Sequence, residues 1–193
     1  MTGATVMPAP SGAQRRASYT GLYAFLVSVV MFFAGFTSAM VVRRGGAKDW
    51  KPVPMPDILW VNTSILAVSS VLAEKARRDL RNGDRTRFSV TWSLATLVGC
   101  AFVAGQILLW RQLRDAGVYM AANASGAFFY VGTIAHAVHL AGGLGAMLYL
   151  CYRAWRLQLG PGRRTAVDVT TIYWHFLGVL WVYLLVLFLV LAR

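Results

Sequence analysis

Three histidines are the side chains in this sequence best suited to chemistry. His136 and His139 stand three residues apart, and His175 follows Trp174 near the end of the chain. Imidazoles from His139 and His175, on facing helices at matched depth, could hold one haem iron as in a four-helix b-type cytochrome. With no second histidine pair beside them, the favoured reading is that each ring is a buried polar anchor donating an N–H to a neighbouring helix. His136 and His139 alone lack the third ligand that a metal site needs. Cys100 and Cys151 both lie in apolar runs, far from any paired metal-ligand spacing, and read as small buried residues. Asn62, Ser69 and Ala73 form a small-and-polar stripe, as do Ala95, Gly99 and Gln106.

The elements that must position these groups follow from composition. Of 193 residues, 58% are hydrophobic and only 13% charged, against about 25% charged in a typical soluble domain. This excludes a disordered tail, a disulfide scaffold and an ordinary soluble enzyme. Five apolar runs lie at about 19–42, 58–76, 88–110, 126–152 and 169–192, each close to the ~20 residues that cross a bilayer core. The expected fold class is therefore an all-α membrane protein, a bundle of five transmembrane helices over residues 19–193. Residues 1–18, polar and rich in Gly, Ala and Pro, are expected to be a disordered cytoplasmic arm with no signal-peptide core. Pro52, Pro54 and Pro56 break the first connection, Asn82-Gly83 the second and Gly160-Pro161-Gly162 the fourth.

The net charge of +12 could suggest nucleic acid. Nearly every Lys and Arg lies between apolar runs, however, where membrane proteins place them to set orientation. Twelve of the nineteen fall on the side of the N-terminus and the second and fourth loops. The expected topology is thus N-terminus inside and C-terminus outside, with no nucleic-acid partner. No Asp, Glu, Lys or Arg lies in the middle of a run, unlike the usual pattern of ion pumps and proton relays. Gly132, Ala135, Gly142, Gly143 and Ala146 accompany the histidine pair, a composition suited to close helix packing. Trp60, Trp92 and Trp110 lie near run ends and read as an interfacial aromatic belt.

Four segments carry a family resemblance. Ile172-Tyr173-Trp174-His175-Phe176, followed by Trp181, resembles the YWHFxxxxW signature of haem-copper oxidase (cytochrome c oxidase) subunit III. Phe129–Gly143 (FYVGTIAHAVHLAGG) resembles that family's helix with two histidines and a glycine pair. Val61-Asn62-Thr63-Ser64-Ile65-Leu66, with Ser69-Ser70 behind it, resembles the NTSxL segment. Phe25-Leu26-Val27-Ser28 with Met31-Phe32-Phe33-Ala34-Gly35 resembles the FLxSExxFFxG helix. The motifs occur in the family's order, and this chain would match the last five of the seven helices in its long form.

The resemblance implies an accessory, non-catalytic subunit of an aerobic terminal oxidase that reduces O2 to water and pumps protons. Such a subunit holds no haem or copper. It packs on catalytic subunit I, here through the face of the first and third helices, binds phospholipid and helps sustain proton uptake and stability. Haem and copper are then expected in partner subunits, alongside other oxidase subunits and, more widely, a respiratory supercomplex in a bacterial plasma membrane. By the same likeness, Arg153 falls where the family has an arginine on lipid phosphate, and Asp168 matches a carboxylate at the start of the last helix. Asn62, Gln106, His136, His139, Trp174 and His175 are structural motif positions. Val29, Leu109 and Gly178 stand where the family carries acids, so a proton-handling role tied to the Val29 position is in doubt. An accessory subunit of a nitric oxide reductase, or a haem b-binding cytochrome, are the alternative expectations.

Overall fold

The computed structural model describes residues 12–46, 50, 56–117, 119, 124–156 and 164–191. Five helices account for nearly all of them: α1 (Gly12–Gly46), α2 (Ile58–Arg81), α3 (Arg85–Asp115), α4 (Ala124–Trp155) and α5 (Arg164–Leu191). Each is long and apolar enough to cross a membrane. All five outrun the apolar stretches that mark them at one end or both. Helical hydrogen bonds are as good in the headgroup region as in hydrocarbon, so the backbone does not unwind where the side chains become charged. α1 begins at Gly12, inside the stretch expected as an arm; residues 1–11 lie outside those described.

The α2–α3 connection shows how sequence stops and restarts a helix. Gly83 takes φ +86°, a left-handed conformation open to glycine at little cost. Its N–H and that of Asp84 return to Leu80 and Asp79 carbonyls at 3.2 and 3.1 Å, satisfying carbonyls that α2 would leave orphaned. Asp84 then caps α3, accepting from the Arg87 N–H at 2.9 Å. So short a turn forces α2 and α3 antiparallel, and they form the most extensive helix pair in the bundle.

α5 packs against α1, α2 and α4; α3 packs against α2 and α4; α1 touches only α4 and α5. Helices α2 to α5 thus form a four-sided bundle, with α1 laid on the α4–α5 edge. α3 and α5 face each other across a diagonal with no close backbone approach. Two tryptophans of α5 fill that gap. Trp174 reaches the backbone of α3 at Gly99, where an added Cβ would lie 3.0 Å from its ring, and Trp181 meets Phe102 edge-on at 5.5 Å. Both indoles are essentially fully buried. They stand seven residues apart, two helical turns, and so point the same way. The outward surface is apolar instead: Val42, Met31 and Val179 are among its most exposed residues, as hydrocarbon solvent requires.

Candidate functional site

Indole donors make several of the hydrogen bonds that tie the helices of this bundle together. Trp174 Nε1 donates to Ser69 Oγ at 3.1 Å, and Ser69 Oγ donates in turn to the Ala95 carbonyl at 2.8 Å. This chain joins α5, α2 and α3 in the buried interior. Trp181 Nε1 donates to Thr63 Oγ1 at 3.0 Å, and Trp92 Nε1 to the Met147 carbonyl at 3.0 Å. Trp155 Nε1 reaches Ser93 Oγ at 2.9 Å, and Trp50 Nε1 reaches the Leu191 carbonyl at 3.0 Å. An indole combines a large packing surface with a single donor that usually finds a partner when buried, although Trp110 Nε1 has none among the described residues. In hydrocarbon the partner is necessarily another helix. Trp92 is therefore a core residue and not part of a belt: it is 0% exposed, because its face of α3 points at α4. Trp60, by contrast, is 54% exposed.

The three histidines go to three different surroundings. His136 is buried, with its ring tilted over Trp181 at 5.4 Å, and neither nitrogen has a hydrogen-bond partner among the described residues. His139 turns toward α1, between Phe25 at 6.2 Å and Phe33 at 6.0 Å, and its Nδ1 lies 2.7 Å from the Ala135 carbonyl of its own helix. His175 faces α2, where Nδ1 is bonded to Ser70 Oγ and Nε2 lies 3.7 Å from Glu74 Oε2. Tyr173, two residues earlier, points the other way and donates to the His139 carbonyl at 2.9 Å. His139 and His175 thus lie on different sides of α5, and the fold does not bring their rings together. The small-residue face also divides. Gly132 and Gly143 are buried against aromatic rings, Phe36 and Phe188 at one and Tyr173 and Trp174 at the other, while Gly142 faces outward.

Asn62 and Gln106 are both buried. The Asn62 amide occupies the space of a missing side chain: a Cβ on Gly105 would lie 2.2 Å from Asn62 Oδ1. A side chain at Gly105 would therefore displace the Asn62 amide. Val29 is buried in the core, at 3% exposure.

Charge is gathered at one end of the bundle, where α1 and α5 start and α2 finishes. Asp168, buried in the first turns of α5, accepts from Arg81 at 3.0 Å and from Tyr19 Oη at 3.3 Å, with Arg77 at 3.8 Å. Glu74 binds Arg77 and Arg78, each at 3.1 Å. One carboxylate on α5 therefore joins α1, α2 and α5. The sequence marks Asp168 but not its partners; the Glu74, Arg77, Arg78 and Arg81 spacing, one turn apart along α2, was the available signal. Arg153 ends α4 with Nε donating to Tyr149 Oη at 3.1 Å and its guanidinium over that ring. No group of three or more His, Cys, Asp or Glu residues able to hold a metal occurs among the described residues.

What the fold and its polar groups define is a multi-pass membrane protein in which several tryptophans, His175 and Asp168 link one helix to another. Comparison with known proteins makes this specific. The family model for cytochrome c oxidase subunit III matches residues 5–192, and the chain belongs to that family. A probable cytochrome c oxidase subunit 3 of Nocardia farcinica is 31% identical over 166 residues, 84% of this chain and 82% of the relative. The subunit 3 of Corynebacterium diphtheriae is 31% identical over 169 residues with the same coverage, and that of Synechocystis 29% over 174 residues, 86% of this chain and 72% of the relative. The chain is thus a homologue of a subunit of an oxidoreductase complex, which implies other oxidase subunits as partners.

Proposed function

We propose that this chain is the non-catalytic accessory subunit of an aerobic cytochrome c oxidase in a bacterial plasma membrane. In this reading it lies with its N-terminus inside, packs on catalytic subunit I, binds phospholipid with Arg153 as a headgroup ligand, and supports proton uptake and stability. Haem and copper belong to the partner subunits. The observation that carries the reading is the use made of the histidines: His175 is engaged by Ser70 and Glu74, and His139 by its own helix and the α1 phenylalanines. Of the three, His175 links α5 to α2, His139 packs on α1, and His136 lies beside Trp181 with neither nitrogen bonded among the described residues. The nitric oxide reductase alternative draws no support from the relatives above, all of which are described as cytochrome c oxidase subunits.

The test is spectroscopic. The isolated chain is expected to show no Soret band. Replacing His175 by Ala is expected to lower recovery of the assembled oxidase while leaving haem per assembled complex unchanged. A Soret band in the isolated chain that disappears in His175→Ala would establish the cytochrome reading instead.

A further inference from the structure

Three polar side chains in the bundle interior are left without partners. Both nitrogens of His136, both polar atoms of the Asn62 amide and Oε1 of Gln106 are buried and bond to nothing among the described residues. His136 and Asn62 are each 1% exposed and Gln106 is 7% exposed. The helix registers put all three at one level. Asn62 of α2 lies against Gly105, the neighbour of Gln106 in α3. The Ser93–Cys151 contact aligns α3 with α4. From it Gln106 lies ~20 Å forward along α3 and His136 ~22 Å back along α4, at 1.5 Å per residue. Trp181 of α5 completes the level. Its ring meets His136 at 5.4 Å and Phe102, one turn before Gln106, at 5.5 Å, and its N–H bonds Thr63 beside Asn62. Neither diagonal of the four-sided bundle, α3–α5 or α2–α4, closes by backbone approach, so side chains alone fill the middle.

We infer that this level binds internal water, with at least one molecule shared among His136, Asn62 and Gln106. Polar groups taken out of solvent are costly when left unbonded, and where no protein group reaches them ordered water is the usual partner. The three side chains share a level yet none bonds another, the kind of separation that a bridging water spans. Their chemistry selects the ligand. An amide offers N–H donors and a carbonyl acceptor, and a neutral imidazole one donor and one acceptor. A cation would use only the acceptors and an anion only the donors, whereas water serves both. Trp110 Nε1, one turn beyond Gln106, is buried and unpartnered as well. The unbonded groups therefore continue toward the C-terminal end of α3, the direction from which water enters. So placed, the water joins α2, α3 and α4, as the Trp174–Ser69 chain joins α5, α2 and α3.

Hydroxyl-radical footprinting of the intact oxidase complex tests this, because radiolysis of a bound water labels side chains that bulk solvent does not reach. Trp181 is expected to be labelled roughly fivefold faster than Trp174; both are buried, but Trp174 and its partner Ser69 are already bonded. Gln106→Met with His136→Phe keeps the bulk of both side chains and removes their polar atoms. In that double variant Trp181 labelling should fall to the Trp174 rate, with subunit composition intact. The wild-type comparison stands whether or not the variant assembles. A density map of the wild-type complex that resolves ordered water should show a peak in hydrogen-bond contact with at least two of the three side chains. Equal labelling of the two tryptophans in the wild type, labelling of Trp181 unchanged in the double variant, or a map in which the three side chains bond one another with no water between would each overturn the inference.

Discussion

Replacing Trp174 by Ala is expected to produce the largest loss of stability of any single truncation in the bundle. Its ring is 0% exposed and lies against Gly99 of α3 and Gly143 of α4. Its N–H also anchors the Ser69–Ala95 hydrogen-bond chain across three helices. Truncating a buried tryptophan costs roughly 3–5 kcal/mol in soluble cores, transfer and cavity terms together. In a bilayer the removed surface gains little from avoiding water, so packing and hydrogen bonding carry the effect. A loss of about 2–4 kcal/mol is the expected result. It should be read as a fall in the denaturant midpoint of detergent-solubilised protein, with helicity as the signal. Trp60→Ala is the internal control, since Trp60 is 54% exposed; its effect should stay within about 0.5 kcal/mol. Equal midpoints for the two variants would mean that the diagonal between α3 and α5 is not held as described.

The second large effect is expected at Asp168. Asn in its place keeps the shape and a bond to Tyr19 but removes the charge opposite Arg81 and Arg77. Breaking a buried ion pair from one side costs about 3–5 kcal/mol. Here the Arg81 side chain is 55% exposed, so water takes over part of the lost interaction. A loss of about 1–3 kcal/mol is expected, with the Tyr19 bond that ties the start of α1 to α5 retained. A double-mutant cycle with Arg81→Gln should give a coupling of about 0.5–3 kcal/mol. Strict additivity would show that the pair is not coupled.

These two sites mark what could and could not be read from the sequence. The five helices were legible because a bilayer demands about twenty apolar residues per span, and nothing else in the chain has that length. Their ends were not. Apolar composition reports where hydrocarbon begins, whereas α1 continues from Gly12 and α5 begins at Arg164, outside that region. Trp92 shows a second limit. Its position near a run end reports depth, but which way it faces depends on the neighbours of α3, and α4 is on that side. His136 and His139 show a third. Three residues apart is about 60° of rotation around a helix, enough to put one ring in the core beside Trp181 and the other on the α1 side. The partners of Asp168 were hidden for another reason, since Arg81 is 87 residues distant in the chain and only the fold joins them. Trp174 and Trp181 share a face by their two-turn spacing, but that this face spans the α3–α5 diagonal follows only from the fold.

The central claim is the proposed one: this chain is an accessory subunit whose buried polar side chains serve the packing of its helices, with the redox groups in partner subunits. Native mass spectrometry of the tagged chain, extracted in a mild detergent, tests it most directly. The account predicts an assembly that contains a haem-copper catalytic subunit, from which this chain dissociates without haem mass. A lone chain or homo-oligomer that retains haem would contradict it.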